Sequence, residues 1–117
     1  MTPPRRIFHL IARADWASAR AAGAYAPPSL EAEGFIHFST RDQLPRSAAR
    51  FYAGRDDLMV LVVDEARVGP PIRYEPAHGE LFPHVYGALN LDAVEEALPL
   101  RWDGGAFVMP DHLAPAC

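Results

Sequence analysis

The chain has 117 residues, half of them hydrophobic, with a formal net charge of −4 and a pI near 5.6. That is enough apolar material for one domain with a proper core, and it excludes a chain disordered throughout. The acidic balance argues against a broad nucleic-acid surface while leaving room for a local arginine cluster facing a small anion.

All eleven basic residues are arginine, which alongside the abundant Ala, Pro and Gly reads as compositional bias rather than as a ligand signature. The single cysteine is Cys117, so one chain has neither a disulfide framework nor a cysteine-based metal site. No apolar stretch approaches the ~20 residues that span a bilayer, and the first residues lack the apolar segment of a secretory signal. The expectation is a cytoplasmic protein without membrane partners.

Arg6 to Ala12 is a β-prone apolar run with His9 at its centre. Asp15 then stands where it can cap an alanine-rich helix, Trp16 to Ala22, closed by Gly23. Pro27 and Pro28 predict an extended loop from Tyr25 to Leu30, and Phe35 to Ser39 reads as a second strand. Thr40 and Gln43 have capping-box spacing ahead of a helical stripe, Leu44, Ala48, Phe51 and Tyr52, with Pro45 tightening or breaking the first turn. Leu58 to Val63 is a continuous apolar run bounded by Asp57 and Asp64, as expected of a central strand covered on both faces.

A turn at Gly69-Pro70-Pro71 leads to a shorter strand, Ile72 to Glu75. After Pro76 the pattern breaks into strand-like fragments: Phe82 to Tyr86, Ala93 to Leu98 (equally a helical turn), Leu100 to Trp102, and Phe107 to Met109. Gly104-Gly105 suits a hairpin between the last two, and the tail from Pro110 is expected to fray. With no internal repeat or linker, residues 1–117 read as one domain with a core from about 6 to 109.

Two segments concentrate groups that can donate, accept or shuttle protons. In the first, side chains alternate along an extended Phe35 to Ser39, so His37 and Ser39 share one face and Ile36 and Phe38 the other. In the second, His78, Glu80, Phe82, His84 and Tyr86 share a face if the segment is extended, and a carboxylate beside an imidazole fixes a tautomer or tunes a general base. His9 is a third imidazole, on an apolar strand where a packed core histidine is the commoner outcome. His-Glu-x-x-His, closely spaced His pairs and cysteine ligands are absent, so no metal is expected. Gly-x-Ser-x-Gly and the glycine-rich phosphate loops are absent too.

These residues carry a resemblance. Ile7-Phe8-His9, Trp16, Gly23-Ala24-Tyr25, Pro28-Ser29-Leu30, Glu33 to His37, Ser39-Thr40, Phe51-Tyr52 and the run Gly79 to Gly87 together resemble the DUF952 family, over about Ile7 to Leu100. The family comprises small, mainly bacterial proteins of unknown function. The resemblance implies an α+β fold similar to that of ADP-ribosyltransferases, a split mixed β-sheet with two packed helices that grips NAD between its halves. By position, His9 resembles the first-strand histidine of a histidine-dependent branch of that superfamily. His37 with Ser39 resembles the second element, and Glu80, His84 or Tyr86 the third.

The function so implied is an ADP-ribosyltransferase-like enzyme acting on NAD, or on an ADP-ribosylated or phosphorylated small substrate. His9, His37, Glu80 and His84 are its expected catalytic residues, and Ser39, Thr40, Arg41 and Tyr86 its expected ligand-binding residues. His9 with Ser39 or Thr40 holds the ribose and the nicotinamide amide, Arg41 neutralises the pyrophosphate, and Glu80 or His84 stabilises the oxocarbenium ion or orients the acceptor. This reading requires His9 and His37 on the same side of the core. A non-catalytic binding module for a nucleotide or other small ligand is the first alternative. The other is a metal-dependent hydrolase, which needs at least three of His9, His37, Glu80 and His84 to converge.

Overall fold

The structure, a computed structural model, describes residues 5–52, 55–103 and 106–108. The apolar run at the start forms β1 (Arg6–Ala12), which passes directly into α1 (Arg13–Ala22). Asp15 lies inside the first turn of α1 rather than at its cap, where its charge still complements the helix dipole. A short β2 (Ala24–Tyr25) precedes α2 (Pro28–Glu33), a helix where an extended loop was expected. Pro28 opens α2, at a position where the missing N–H has no intrahelical partner to lose. Gly34, at φ 88°, closes it and turns the chain into β3 (Ile36–His37).

The stripe after Thr40 forms α3 (Leu44–Tyr52), with Leu44 and Ala48 fully buried; the side chains of Phe51 and Tyr52 lie outside the described residues. Then come β4 (Leu58–Asp64), β5 (Ile72–Ala77), β6 (Glu80–Val85), β7 (Leu89–Asn90), β8 (Val94–Pro99), β9 (Arg101–Asp103) and β10 (Ala106–Val108). The strands form two three-stranded sheets, β1-β4-β8 and β3-β6-β5, and two paired ribbons, β2-β7 and β9-β10. Every one of these pairings is antiparallel, so the architecture is α+β with three α-helices, not a mixed sheet with two. The expected Gly104-Gly105 turn, Met109 and the tail from Pro110 lie outside the described residues. Among the described residues no helix is long and apolar enough to cross a membrane.

Strand β4 is central and covered on both faces, as its unbroken apolar run requires. Leu61 and Val63 join Ile7, Ile11, Ile36, Val85 and Leu89 in one cluster, while Leu58, Val60 and Val62 join Phe8, Leu10, Leu44 and Ala48 in a second under α3. Strand alternation alone divides β1 and β4 between the two clusters.

The ladder around β1 explains where the cavity opens. Arg5 and Arg13 exchange backbone bonds with the chain flanking β4, so the odd-numbered residues of β1 bond that way and Phe8, Leu10 and Ala12 present their peptide groups to the opposite edge. There Phe8 forms an isolated bridge with Ser39, N–H to C=O in both directions at 2.8 and 2.7 Å. Continuing that register would set Leu10 opposite His37, but the two strands part at this point. The His37 carbonyl instead accepts the Nδ1–H of His9 at 2.6 Å, and among the described residues the N–H and C=O of Leu10 have no partner.

Gly87 joins β6 to β7 against Pro70; a Cβ there would sit 2.9 Å from the proline Cβ and 3.0 Å from its Cγ. Gly87→Ala is therefore expected to cost about 1–3 kcal/mol as an overpacking substitution, measured as a lower midpoint in urea unfolding.

Candidate functional site

The parting of β1 and β3 leaves a cavity of about 780 Å³. His9, Tyr25, Phe35, His37, Ser39 and His84 line it, so the required placement of His9 and His37 on one side is met. Each imidazole is held differently.

His9 uses both ring nitrogens. A carbonyl oxygen can only accept, so Nδ1 carries the proton toward His37 O, and Nε2 accepts from the Tyr25 hydroxyl at 2.8 Å. The ring packs between Tyr25 and Phe38, with centroids 5.2 and 5.1 Å away. Burial pushes its pKa down to about 4, overriding the carbonyl bond that favours the charged form. His9 is thus a neutral imidazole of one tautomer at pH 7.

His37 is exposed, and its Nε2 lies 3.2 Å from both carboxylate oxygens of Glu33. The turn at Gly34 returns the chain so that a residue of α2 faces one of β3.

His84 is buried, stacked on Phe35 at 4.0 Å between centroids and 16° between planes. Its Nδ1 donates to Glu75 Oε1 at 2.8 Å, and the Tyr86 hydroxyl donates to the same oxygen. Those two bonds, Tyr86 first and His84 second, hold the Glu75 carboxyl below the usual carboxylate range, and the same contact raises the Tyr86 phenol. The hairpin β5–β6 sets this up. His78 at φ 50° and Gly79 at φ 80° form its two-residue turn, which pairs Ala77 with Glu80, Glu75 with Phe82 and Arg73 with His84. Glu75 and His84 are diagonal neighbours on one face.

Other expected site residues lie elsewhere. Glu80 shares the face of His84 but sits four residues along β6, about 13 Å away at strand spacing. It forms a bidentate pair with Arg46 of α3 at 2.6 and 2.8 Å, which holds its carboxyl low. Thr40 belongs to the start of α3, its N–H bonded to Gln43 Oε1 at 3.0 Å. Arg41 lies beside Asp42 and does not line the cavity. Tyr86 reaches it only through Glu75 and Phe35. Ser39 does line it, with its Oγ 3.1 Å from that of Ser47. Glu75, Glu33, Tyr25 and Phe35 are the additional site residues. Among the described residues no group of three His, Cys, Asp or Glu could hold a metal ion, so the convergence needed for a metal-dependent hydrolase is missing.

The desolvated ring of the half-buried His9 makes stability pH-dependent. Its folded pKa of about 4 lies below the ~6.5 of an unfolded histidine. Between those values the unfolded chain binds the proton and the folded protein does not, so stability falls as pH drops through this window, by no more than about 3 kcal/mol. Glu75, Glu80 and Asp57, whose carboxyls are depressed, lose their contribution only at lower pH. Unfolding midpoints measured from pH 7 to 4.5 should decline for the natural sequence and decline less for His9→Asn.

A protein-family model described as "Protein of unknown function (DUF952)" matches residues 10–97. The crystal structure of protein CC0527 from Caulobacter crescentus is similar to this chain, with 32% identity, a TM-score of 0.83, and 92% of this chain and 97% of that one covered. The solution NMR structure of CC0527 gives 32% identity and a TM-score of 0.79 over 93% and 97%. No curated protein matches the chain. With its family match spanning both histidine-bearing segments, the chain belongs to the DUF952 family.

Proposed function

We propose that the protein is an ADP-ribosyltransferase-like enzyme that binds NAD, or a related ADP-ribosyl compound, in this cavity and acts at the bond between the nicotinamide ring and its ribose. The observation that carries the reading is the free peptide edge of Leu10 next to a neutral His9. A strand edge offers one N–H and one C=O in the same plane, and a primary carboxamide is the complementary acceptor and donor. Phe35, Phe38 and Tyr25 supply apolar ring surface beside it. A neutral His9 does not repel a pyridinium cation, and the Glu33 carboxylate, which lines the same cavity, supplies negative charge for the cation that forms on a ribosyl group. The cavity volume falls in the range of small-molecule sites. The split between two antiparallel sheets at His9 also favours a relation to the ADP-ribosyltransferase fold, a kinship that by itself does not specify chemistry.

One observation favours a second reading, a binding module without turnover. Glu80 is tied to Arg46 and Arg41 lies outside the cavity, so two groups assigned to transition-state and pyrophosphate stabilisation do not face it.

Thermal-shift measurements separate these readings. Nicotinamide at 100 times its Kd should stabilise the protein by about 2.7 kcal/mol, whereas nicotinic acid, whose carboxylate meets the Leu10 C=O, should not. NAD should then release nicotinamide, and His37→Ala should abolish that release. A shift without product selects the binding module; no shift with nicotinamide, NAD or ADP-ribose sinks both readings.

A further inference from the structure

We propose that His84 is the general base of this site and that Glu75 is its positioning residue, activating the acceptor that captures the ribosyl group. The inference rests on the ADP-ribosyl reading above and adds the proton transfer that reading leaves unassigned.

Four imidazoles line the cavity, and one of them combines a carboxylate partner with a buried, stacked ring; His78 is an exposed residue of the β5–β6 turn. His9 commits both nitrogens and is held in its neutral form. His37 places Nε2 between the oxygens of Glu33 on an exposed face. His84 donates Nδ1–H to Glu75, which leaves Nε2 as a lone pair. No residue among those described bonds that nitrogen. His84 lines the cavity, and Nε2 is not fully buried, because no side-chain polar atom among the described residues is both fully buried and unpartnered. The stacked Phe35 ring fixes the imidazole plane, and Tyr86 holds the carboxylate oxygen from its other side. An oriented carboxylate, a single tautomer and an accessible lone pair are what a general base requires.

The acceptor is water or an alcohol. Its oxygen forms the new bond to C1′ of the ribose as the C1′–N bond breaks, and the electron pair of that bond stays on the ring nitrogen to give neutral nicotinamide. The acceptor proton passes to His84 Nε2, while the Nδ1 proton stays on the ring, hydrogen-bonded to the Glu75 carboxylate, which stabilises the imidazolium until it releases a proton to solvent. Only NAD and the acceptor are consumed.

The test measures nicotinamide release from NAD together with the nicotinamide-induced shift in melting temperature, for the natural sequence and for His84→Ala, Glu75→Gln and Glu75→Asp. His84→Ala should lower kcat by about 100-fold or more, with partial recovery on adding imidazole. Glu75→Gln keeps the shape but loses the carboxylate, and should lower kcat by at least about 10-fold with the nicotinamide shift unchanged; Glu75→Asp should recover part of that loss. Full kcat in either His84→Ala or Glu75→Gln overturns the proposal, as does a parallel loss of nicotinamide binding in Glu75→Gln, which marks a purely structural residue. Should His84→Ala fail to fold, the Glu75 pair decides alone. A natural protein that binds nicotinamide without turnover overturns this proposal and leaves the binding reading standing. Absence of binding overturns both.

Discussion

The hydrogen bond from His9 Nδ1 to the carbonyl of His37 organises the rest of the site. The register begun by the Phe8–Ser39 bridge, if continued, would pair Leu10 with His37 and join the two three-stranded sheets, and it is the carbonyl needed for that pairing that His9 occupies. A side chain occupies the carbonyl that a backbone amide would have taken, so the split costs no orphaned acceptor on His37. The same bond dictates the tautomer of His9, which in turn makes the Tyr25 hydroxyl a donor and ties the β2 region to β1. One imidazole thereby spaces two sheets and keeps the cavity floor uncharged.

This arrangement is compatible with a stable core because the polar groups sit along the seam and not within the packed clusters. Strand β4 feeds apolar side chains to both sides of its sheet, and β6 buries Pro83 and Val85. The opposite face of β6 carries His84 beside Glu75. No fully buried side-chain polar atom among the described residues lacks a partner, so the imidazoles of the cavity do not carry the penalty of an unmade hydrogen bond.

Much of this was legible in the chain. The unbroken run at Leu58 to Val63 announced a doubly covered strand, Thr40 and Gln43 announced the start of α3, and the alternation around His37 and His84 marked both walls of the cavity. The errors have physical causes. Consecutive prolines argue for an extended loop unless the second opens a helix, and missing α2 hid Glu33 as the partner of His37. Alternation assigns Glu80 to the right face but says nothing of distance along the strand, nor of Arg46 approaching from α3. Glu75 is not legible as a site residue unless His78-Gly79 is recognised as a hairpin turn. Only the register that this turn sets brings β5 against β6 and the carboxylate against His84. Long-range pairing of that kind leaves no local periodicity to detect.

The two halves of the cavity also have different mechanical supports. The Leu10 edge belongs to β1, locked to the doubly covered β4 over seven paired residues, whereas Glu75 and His84 lie on a hairpin whose outer strand β5 is an edge. A ligand held by the rigid half needs no precision from the hairpin to bind, but a base on the hairpin needs its imidazole fixed within a narrow angle to react. The stacking of Phe35 on His84 supplies that restraint from the β3 side, while Glu75 and Tyr86 supply it from within the hairpin sheet and its continuation. The support on His84 is therefore redundant where the support on the ligand edge is simple, as expected if recognition belongs to β1 and proton transfer to the hairpin.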